Sequence, residues 1–438
     1  MSVQALPADY YTPLLSDVAK QRKPNPIRGL YPLEARPGMI SLLAGKPNAT
    51  TFPLTSVTIK SRSPTDPSAE LTTEISGKVL AEGLQYGPTA GLPDLVNWVY
   101  GLQEYEHGRK KGEGWRISIG SGSQDVLHKA IVALVNPGDP VLVETPLYAG
   151  VMPTFEALHC EFVAVPTDSK GIRSDVLRST LENWPAGKPK PKVLYTVPYG
   201  GNPTGMTAVK ERRQEVLQLA REHNFLILED DPYYYLYFGE APRPPSYFTL
   251  ERELPEIGRV IRFDSLSKIL SAGIRIGFAC GPEPIMTVID MHTAVASLQT
   301  PSLTQAIAFA LLNSWGYDSF KTHTQAVSQF YREKRDVFEK YMKKHLEGLA
   351  EWDRPEAGMF FWFKLLLPAA DGQGEQDSES VIRTKALEKG VLALPGTVFL
   401  PNGGKTPYVR ASFSLLDEAD VEEAIKRLAA VVLEAKGA

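Results

Sequence analysis

The sequence predicts an α/β protein, with a large domain around a mainly parallel central sheet and a smaller α+β domain. Three observations carry that prediction. From Arg116 onward, short runs rich in Val, Ile and Leu alternate with helical stretches, the pattern of βαβ units. The 438 residues exceed what one core usually supports. Five of the apolar runs end in polar, Gly- or Tyr-rich turns, and in open α/β sheets ligands sit beyond the carboxyl ends of the strands.

Taken in order, residues 1 to about 55 are rich in Pro and contain KPNPIRGLYPLEARPG, which suits an extended arm or short helix better than a packed core. RISIG (116–120) predicts a strand, followed by SGSQ and the helix-like DVLHKAIVALV, whose apolar positions recur at three and four. Further strands are expected at PVLVE (140–144), KVLYTV (192–197), FLILE (225–229) and RVIRF (259–263). They lead into TPLYAG, PYGGNPTG, DDPYYY and DSLSKILSAGIRIGF. If these strands share one sheet, their turns converge on one crevice. Pro301 to about Gly348 reads as helical, interrupted near Trp315-Gly316. AGMFFWFKLLL reads as a strand, and a last helix places Val421, Ile425, Leu428 and Val432 on one face. PAGKPKPK (185–192) and DGQGEQDSES (371–380) read as surface loops.

An apolar content of 43% and a charged content of 22% are ordinary for globular proteins, and a formal net charge of -4 offers no basic field for nucleic acid. Only Cys160 and Cys280 occur, with neither CxxC nor metal-ligand spacing, so they read as small core residues in a reducing compartment and no metal is expected. The opening MSVQALPADYYTPLLSD lacks the apolar segment of a secretory signal and the Arg-rich character of a mitochondrial presequence. No apolar run approaches the roughly 18 residues of a membrane span. A cytoplasmic protein with no membrane partner is expected.

The chemistry is concentrated in the turns. Lys268 lies among small residues at a strand end, flanked by Ser265 and Ser267, with Arg275 seven residues on. A partly desolvated lysine there loses proton affinity and can attack a carbonyl, while the hydroxyls and guanidinium suit a phosphate dianion. A carbonyl compound carrying a phosphate is pyridoxal phosphate. That cofactor needs an acid to keep its ring nitrogen protonated, and Asp231 at the end of FLILE is of the right type. Asn202 in GNPTG and Tyr234 in DDPYY can serve the ring hydroxyl, and Tyr148 can stack on the ring. Ser123 and Gln124, between a strand and a helix, can hold phosphate at the helix N-terminus. The loop lacks the third Gly of GxGxxG and the Lys of a P-loop, so it does not read as a nucleotide site.

The ordered set GSGSQ, ETPLYAG, NPTG, EDDPYY and SLSKILSAGIRIGF resembles the fold-type I pyridoxal-phosphate aminotransferases of class I/II. More narrowly, NPIRGL, MISLLAGKPN, LQYGPTAGLPDL, YTVPYGGNPTG, EDDPYYYLYF, AGMFFW and YVRASFS resemble kynurenine/2-aminoadipate aminotransferases and fungal aromatic aminotransferases. The resemblance implies an aspartate aminotransferase-like fold, divided into an arm with part of the small domain (1–55), a large cofactor-binding domain (56–334) and a small domain (335–438). It implies that Lys268 holds pyridoxal 5'-phosphate covalently and shuttles the proton, and that Asp231 pairs with the ring nitrogen. Asn202 and Tyr234 would bind the ring hydroxyl, Tyr148 would stack on the ring, and Ser123, Gln124, Ser265, Ser267 and Arg275 would surround the phosphate. Tyr86 would reach the phosphate of a second subunit, making a homodimer the expected state. On the substrate side, Arg410 would clamp the α-carboxylate, Gly45 would let backbone approach, and Asn202 would contribute as well.

The reaction so implied is ping-pong transamination of aromatic L-amino acids, with L-kynurenine and L-2-aminoadipate as further donors and 2-oxoglutarate as acceptor. Arg28 in NPIRGL is expected to pair with the distal carboxylate of glutamate or 2-aminoadipate and to swing out for aromatic side chains. Lyase chemistry on the same fold is the alternative that the cofactor residues also admit.

Overall fold

The computed structural model describes residues 4–34, 36–43, 45–368 and 377–437. It divides into two units, one of residues 1–137, 226–232 and 246–323, the other of residues 138–225, 233–245 and 324–438.

In the first unit, apolar runs with both faces covered form strands Trp115–Gly120, Gly277–Pro282, Val260–Ser265 and Leu226–Asp230, in that spatial order. All of their residues but Arg116 are buried, which explains why they read as continuous apolar runs instead of alternating ones. Val260–Ser265 runs parallel to Leu226–Asp230, pairing Phe263 with Asp230. Gly277–Pro282 opposes both of its neighbours, pairing Gly277 with Ser265 on one side and with Gly120 on the other. The other three strands therefore share one direction, and Gly120, Ser265 and Asp231 come to the same edge. Helix Ser123–Leu134 starts directly after that edge and buries Val126, Leu127, Ala130 and Ile131. The interruption expected near Trp315-Gly316 is present: the helical run Ser302–Leu346, of which residues 302–323 belong to this unit, is broken at Gly316, whose φ is 68°.

The Pro-rich beginning forms short helices, as the composition suggests, but its first part is anchored. Gln4–Ala5 pairs with Glu256–Ile257, and the buried Tyr11 donates its Oη proton to the Gly258 carbonyl at 2.9 Å. A hairpin of Val57–Arg62 with Glu70–Ile75 was not expected, although Val57 and Ile59 alternate with polar residues there.

In the second unit, Val193–Thr196, Pro140–Thr145 and Glu161–Asp168 are adjacent parallel strands, with Gly171–Ile172 folded back on the last. A separate antiparallel sheet orders Ala350–Trp352, Phe360–Leu365, Tyr408–Ser412 and Leu394–Pro395. Strand Phe360–Leu365 alternates, burying Phe361, Phe363 and Leu365. Those side chains pack with Val421, Ile425, Leu428 and Val432 of helix Glu418–Lys436, the face expected from their spacing. Of the loop expected at 371–380, residues 371–376 lie outside the described residues and Ser378–Val381 is helical. Among the described residues no helix is long and apolar enough to cross a membrane.

One buried acid ties two strand ends of this unit. Glu144 accepts from Thr196 Oγ1 at 2.5 Å and from the Val197 N–H at 3.1 Å, and burial pushes its carboxyl up to about 7. The native state thus binds a proton that the unfolded chain, with its ordinary carboxyl near 4.5, gives up. Stability from this group is full below the unfolded value and lost as pH rises through about 7, by an amount on the order of a few kcal/mol. Glu144→Gln should flatten that part of the denaturation-midpoint profile. Parallel profiles for the two proteins between pH 4.5 and 7 would refute the assignment.

Candidate functional site

Strand Val260–Ser265 ends in a tight helical turn, Leu266–Lys268, because the Ser265 hydroxyl accepts from the Ser267 N–H at 3.2 Å. Lys268 is held half-buried at the end of that turn. Burial, with the Arg275 charge as the second cause, lowers its ammonium pKa below the ordinary lysine range. A larger share of this amine is therefore unprotonated and nucleophilic than in an exposed lysine.

Arg275 adopts a left-handed conformation, φ 50°. Its Nη1 donates to Ser267 Oγ at 3.2 Å and its Nη2 to the Ser121 carbonyl at 3.0 Å. That approach depends on Gly122, where φ is 88° and a Cβ would meet Arg275 Nη2 at 2.2 Å. On the neighbouring strand, a Cβ at Gly277 would lie 2.3 Å from the Ser123 N. Asp125 steadies the loop by accepting from the Ser121 N–H at 3.0 Å, while Lys129 neutralises it at 2.9 Å. Ser123 opens the helix and Gln124 follows it, exposed. Two hydroxyls, a guanidinium and a helix N-terminus form a donor set that fits a phosphate dianion. The lysine beside it fits the aldehyde of pyridoxal phosphate.

Asp231 follows directly on strand Leu226–Asp230, and its N–H donates to the Phe263 carbonyl at 2.9 Å. Its Oδ2 accepts from Arg262 Nε at 3.0 Å and forms an ion pair with the same guanidinium, 2.9 Å from Nη2. Arg262 is a site-adjacent residue that the sequence reading passed over. The available signal was a charge in the middle of VIRFDS, where strand neighbours are apolar.

In the second unit, the segment Pro198–Ala208 is wrapped around the fully buried Arg213, which donates from Nη2 to the Pro198 carbonyl and from Nε to the Ala208 carbonyl, both at 2.9 Å. The guanidinium also lies 4.0 Å from the Tyr199 ring centre. Within that segment Asn202 is buried, and its Oδ1 accepts from Arg410 Nη1 at 2.8 Å. Arg410 is set against aromatic rings, 4.2 Å from the Phe360 centre and 5.2 Å from that of Phe399. Burial lowers its pKa, while the Tyr233 and Tyr148 phenols act the other way. Tyr234 meets Tyr199 edge-on at 5.2 Å and carries Arg243 at 3.6 Å from its ring centre. Tyr148 lies over Gly150, where a Cβ would come within 2.3 Å of its ring.

The remaining expected residues are placed differently. Arg28 is engaged inside the first unit, donating from Nη1 to the Gly87 carbonyl and Thr89 Oγ1 at 3.0 Å, and from Nη2 to Gln299 Oε1 at 2.6 Å. In this state it docks the chain onto the loop after Tyr86, whose side chain is half exposed. Gly45 is exposed, and a Cβ there would meet nothing within 4 Å. The structure thus groups Lys268, Ser265, Ser267 and Arg275 with the loop at Ser123, and groups Asn202 with Arg410.

A family model for class I and II aminotransferases matches residues 80–428. The chain is 43% identical over 423 residues to the aminotransferase tdiD of Emericella nidulans, covering 96% of this chain and 95% of that one. It is 37% identical over 439 residues to the mitochondrial kynurenine/alpha-aminoadipate aminotransferase of Rattus norvegicus, covering 96% and 99%. The crystal structure of aminotransferase Aro8 from Candida albicans matches with a TM-score of 0.90 at 25% identity over the whole of both chains.

Gly122→Ala should push Arg275 away from Ser121 and lower the affinity for pyridoxal phosphate roughly tenfold or more, the value of one charge-assisted hydrogen bond. Titration of apo-protein with cofactor measures this. An unchanged dissociation constant would show that the phosphate cup does not need the close approach.

Proposed function

The chain belongs to the class I and II aminotransferases, and from that premise we propose that it transfers the amino group of aromatic L-amino acids, and of L-kynurenine and L-2-aminoadipate, to 2-oxoglutarate. Members of this family depend on pyridoxal 5'-phosphate, so the protein is a pyridoxal-phosphate-dependent aminotransferase. The observation that carries the site assignment is the turn in which a half-buried amine of lowered proton affinity, Lys268, adjoins the Ser267–Arg275 donor set. Lyase chemistry on the same fold is not favoured, because the similar proteins are named aminotransferases.

When bound, the cofactor supplies an electron sink for the pair released at the substrate Cα. Lys268 Nζ is the group that takes and returns the Cα proton, a task suited to an amine held partly neutral. Asp231 holds a proton at the ring nitrogen. Asn202 and Tyr234 would hold the ring hydroxyl, and Tyr148 would stack on the ring. Ser123, Gln124, Ser265, Ser267 and Arg275 hold the phosphate. Tyr86 from a second copy of the chain completes that set, so the working state is a homodimer, an assignment that sedimentation as a monomer alone would remove. The division at residues 55/56 and 334/335 belongs to the same proposal and is supported by an apolar cluster drawn almost wholly from Phe338 to Val432. A cytoplasmic location is proposed from the free thiols of Cys160 and Cys280, which suit a reducing compartment, although the rat relative is named mitochondrial. Fractionation of cells carrying the tagged protein tests it.

Arg410 binds the α-carboxylate, with its rings at Phe360 and Phe399 limiting competing water. Arg28 answers the distal carboxylate of glutamate and 2-aminoadipate, leaving Gln299 and Gly87 to do so. Arg410→Lys should raise KM for amino donors and 2-oxo acids alike by about tenfold or more, since a lysine cannot reproduce the fork. Arg28→Ala should impair glutamate more than phenylalanine. Equal losses for those two substrates in steady-state kinetics would remove the role of Arg28.

The whole reading is tested by absorbance of the purified holoenzyme mixed with phenylalanine and no 2-oxo acid. The spectrum of the lysine-bound cofactor should convert to that of the amino form and return with 2-oxoglutarate, the signature of a ping-pong exchange. Product release without build-up of the amino form would place the chain among lyases.

A further inference from the structure

Three charged side chains are sealed inside the first unit around Asp231. The Arg262 and Asp231 side chains are 0% exposed and that of Asp264 is 1% exposed. Arg262 divides its fork. Nε donates to Asp231 Oδ2 at 3.0 Å, an oxygen that also lies 2.9 Å from Nη2 as an ion pair, and Nη1 donates to Asp264 Oδ2 at 2.9 Å and to Gln103 Oε1 at 3.5 Å. The other oxygen of Asp264 accepts from the Ser265 N–H at 2.7 Å. Ser265 Oγ in turn accepts from the Ser267 N–H. A continuous chain of hydrogen bonds therefore runs from the Asp231 carboxylate through Arg262 and Asp264 into the turn that bears Lys268.

Packing alone does not account for this arrangement. Burying a guanidinium with two carboxylates generally stabilises a fold no better than apolar side chains of the same volume, and the neighbours Ile261 and Phe263 are such side chains. A guanidinium does, however, keep its charge at every working pH and hold a planar partner at a set angle. Two nearby groups leave that role to Arg262. Cys280, its cross-strand partner, is a thiol whose pKa burial pushes up, so it brings no charge. Arg109 is engaged by Glu113 and Glu251.

We propose that Arg262 is a positioning residue for transamination: it holds Asp231 as an oriented carboxylate and, through Asp264, ties that carboxylate to the Lys268 turn. This rests on the assignment of Asp231 to the cofactor's ring nitrogen. Lysine at the position would keep the charge but lose the divided fork, and glutamine would lose both.

The test loads Arg262→Gln, Arg262→Lys and Asp231→Asn proteins with pyridoxal phosphate isotopically labelled at the ring nitrogen and reads its chemical shift, alongside kcat and KM. Arg262→Gln should move the nitrogen signal toward the unprotonated position and lower kcat on the order of tenfold to a hundredfold, the range seen for outer-shell partners of metal ligands, with KM little changed. Arg262→Lys should fall between Gln and the parent, and it carries the test if the Gln protein does not fold. Asp231→Asn should move the signal fully. A parental shift and kcat in the Arg262 variants, with Asp231→Asn still moving the signal, overturns the role of Arg262 alone. An unmoved signal in Asp231→Asn overturns the assignment of Asp231 and this inference with it.

Discussion

The register of strand Val260–Ser265 is the constraint on which the first unit depends. Its pairing with Leu226–Asp230 on one side and Gly277–Pro282 on the other decides which side chains point to which face. Because the side-chain period of a strand is two, a slip of one residue would send Arg262 and Asp264 to the opposite face and bring Ile261 and Phe263 in their place. The cluster of Asp231, Arg262 and Asp264 enforces the same register from the side chains, since breaking a buried ion pair costs on the order of 3–5 kcal/mol. Backbone and side chains thus select one alignment together, and that alignment brings Gly120, Ser265 and Asp231 to a common edge.

From that edge the donor set follows by close approach. Arg275 can reach across to the Ser121 carbonyl only because no side chain stands at Gly122, and strand Gly277–Pro282 can lie against the start of helix Ser123–Leu134 only because none stands at Gly277. The resulting crowd of positive and donor groups has a direct chemical consequence. The charge that suits Arg275 to an anion also presses on Lys268 and adds to the effect of burial in lowering its proton affinity. A donor set suited to an anion and a lysine of lowered proton affinity are two outcomes of one placement.

The second unit uses another device, a cation fixed by carbonyls. Arg213 gathers the two ends of the Pro198–Ala208 segment, so Asn202 is presented from backbone that cannot relax without stranding buried carbonyl groups. Arg410 is then oriented by Asn202 and by the rings of Phe360 and Phe399. The outward-facing positions of strand Phe360–Leu365 hold Phe360 and Trp362, while Phe361 and Phe363 build the core. One alternating strand therefore serves stability on one side and orients the Arg410 guanidinium on the other.

The elements whose signal is local were legible in the sequence. The buried strands announced themselves as apolar runs ended by turn residues, the last helix by its spacing at Val421, Ile425, Leu428 and Val432, and the break at Gly316 by its interrupted pattern. Lys268, Ser267 and Arg275 were legible as a set because they lie within eight positions of one another. The hairpin at Val57–Arg62 was missed because its alternation is short and mostly exposed, and the tie of Arg28 to Gly87, Thr89 and Gln299 because its partners lie 59 to 271 residues away. What the sequence by itself determined was the kind of fold, the order of its strands in the chain and the residue types at their ends, since periodicity and turn chemistry are properties of neighbouring residues. Which charges meet, as Arg262 with Asp231 and Asp264 or Arg410 with Asn202, was decided only by tertiary structure, because strand register and burial bring together groups that no local pattern relates.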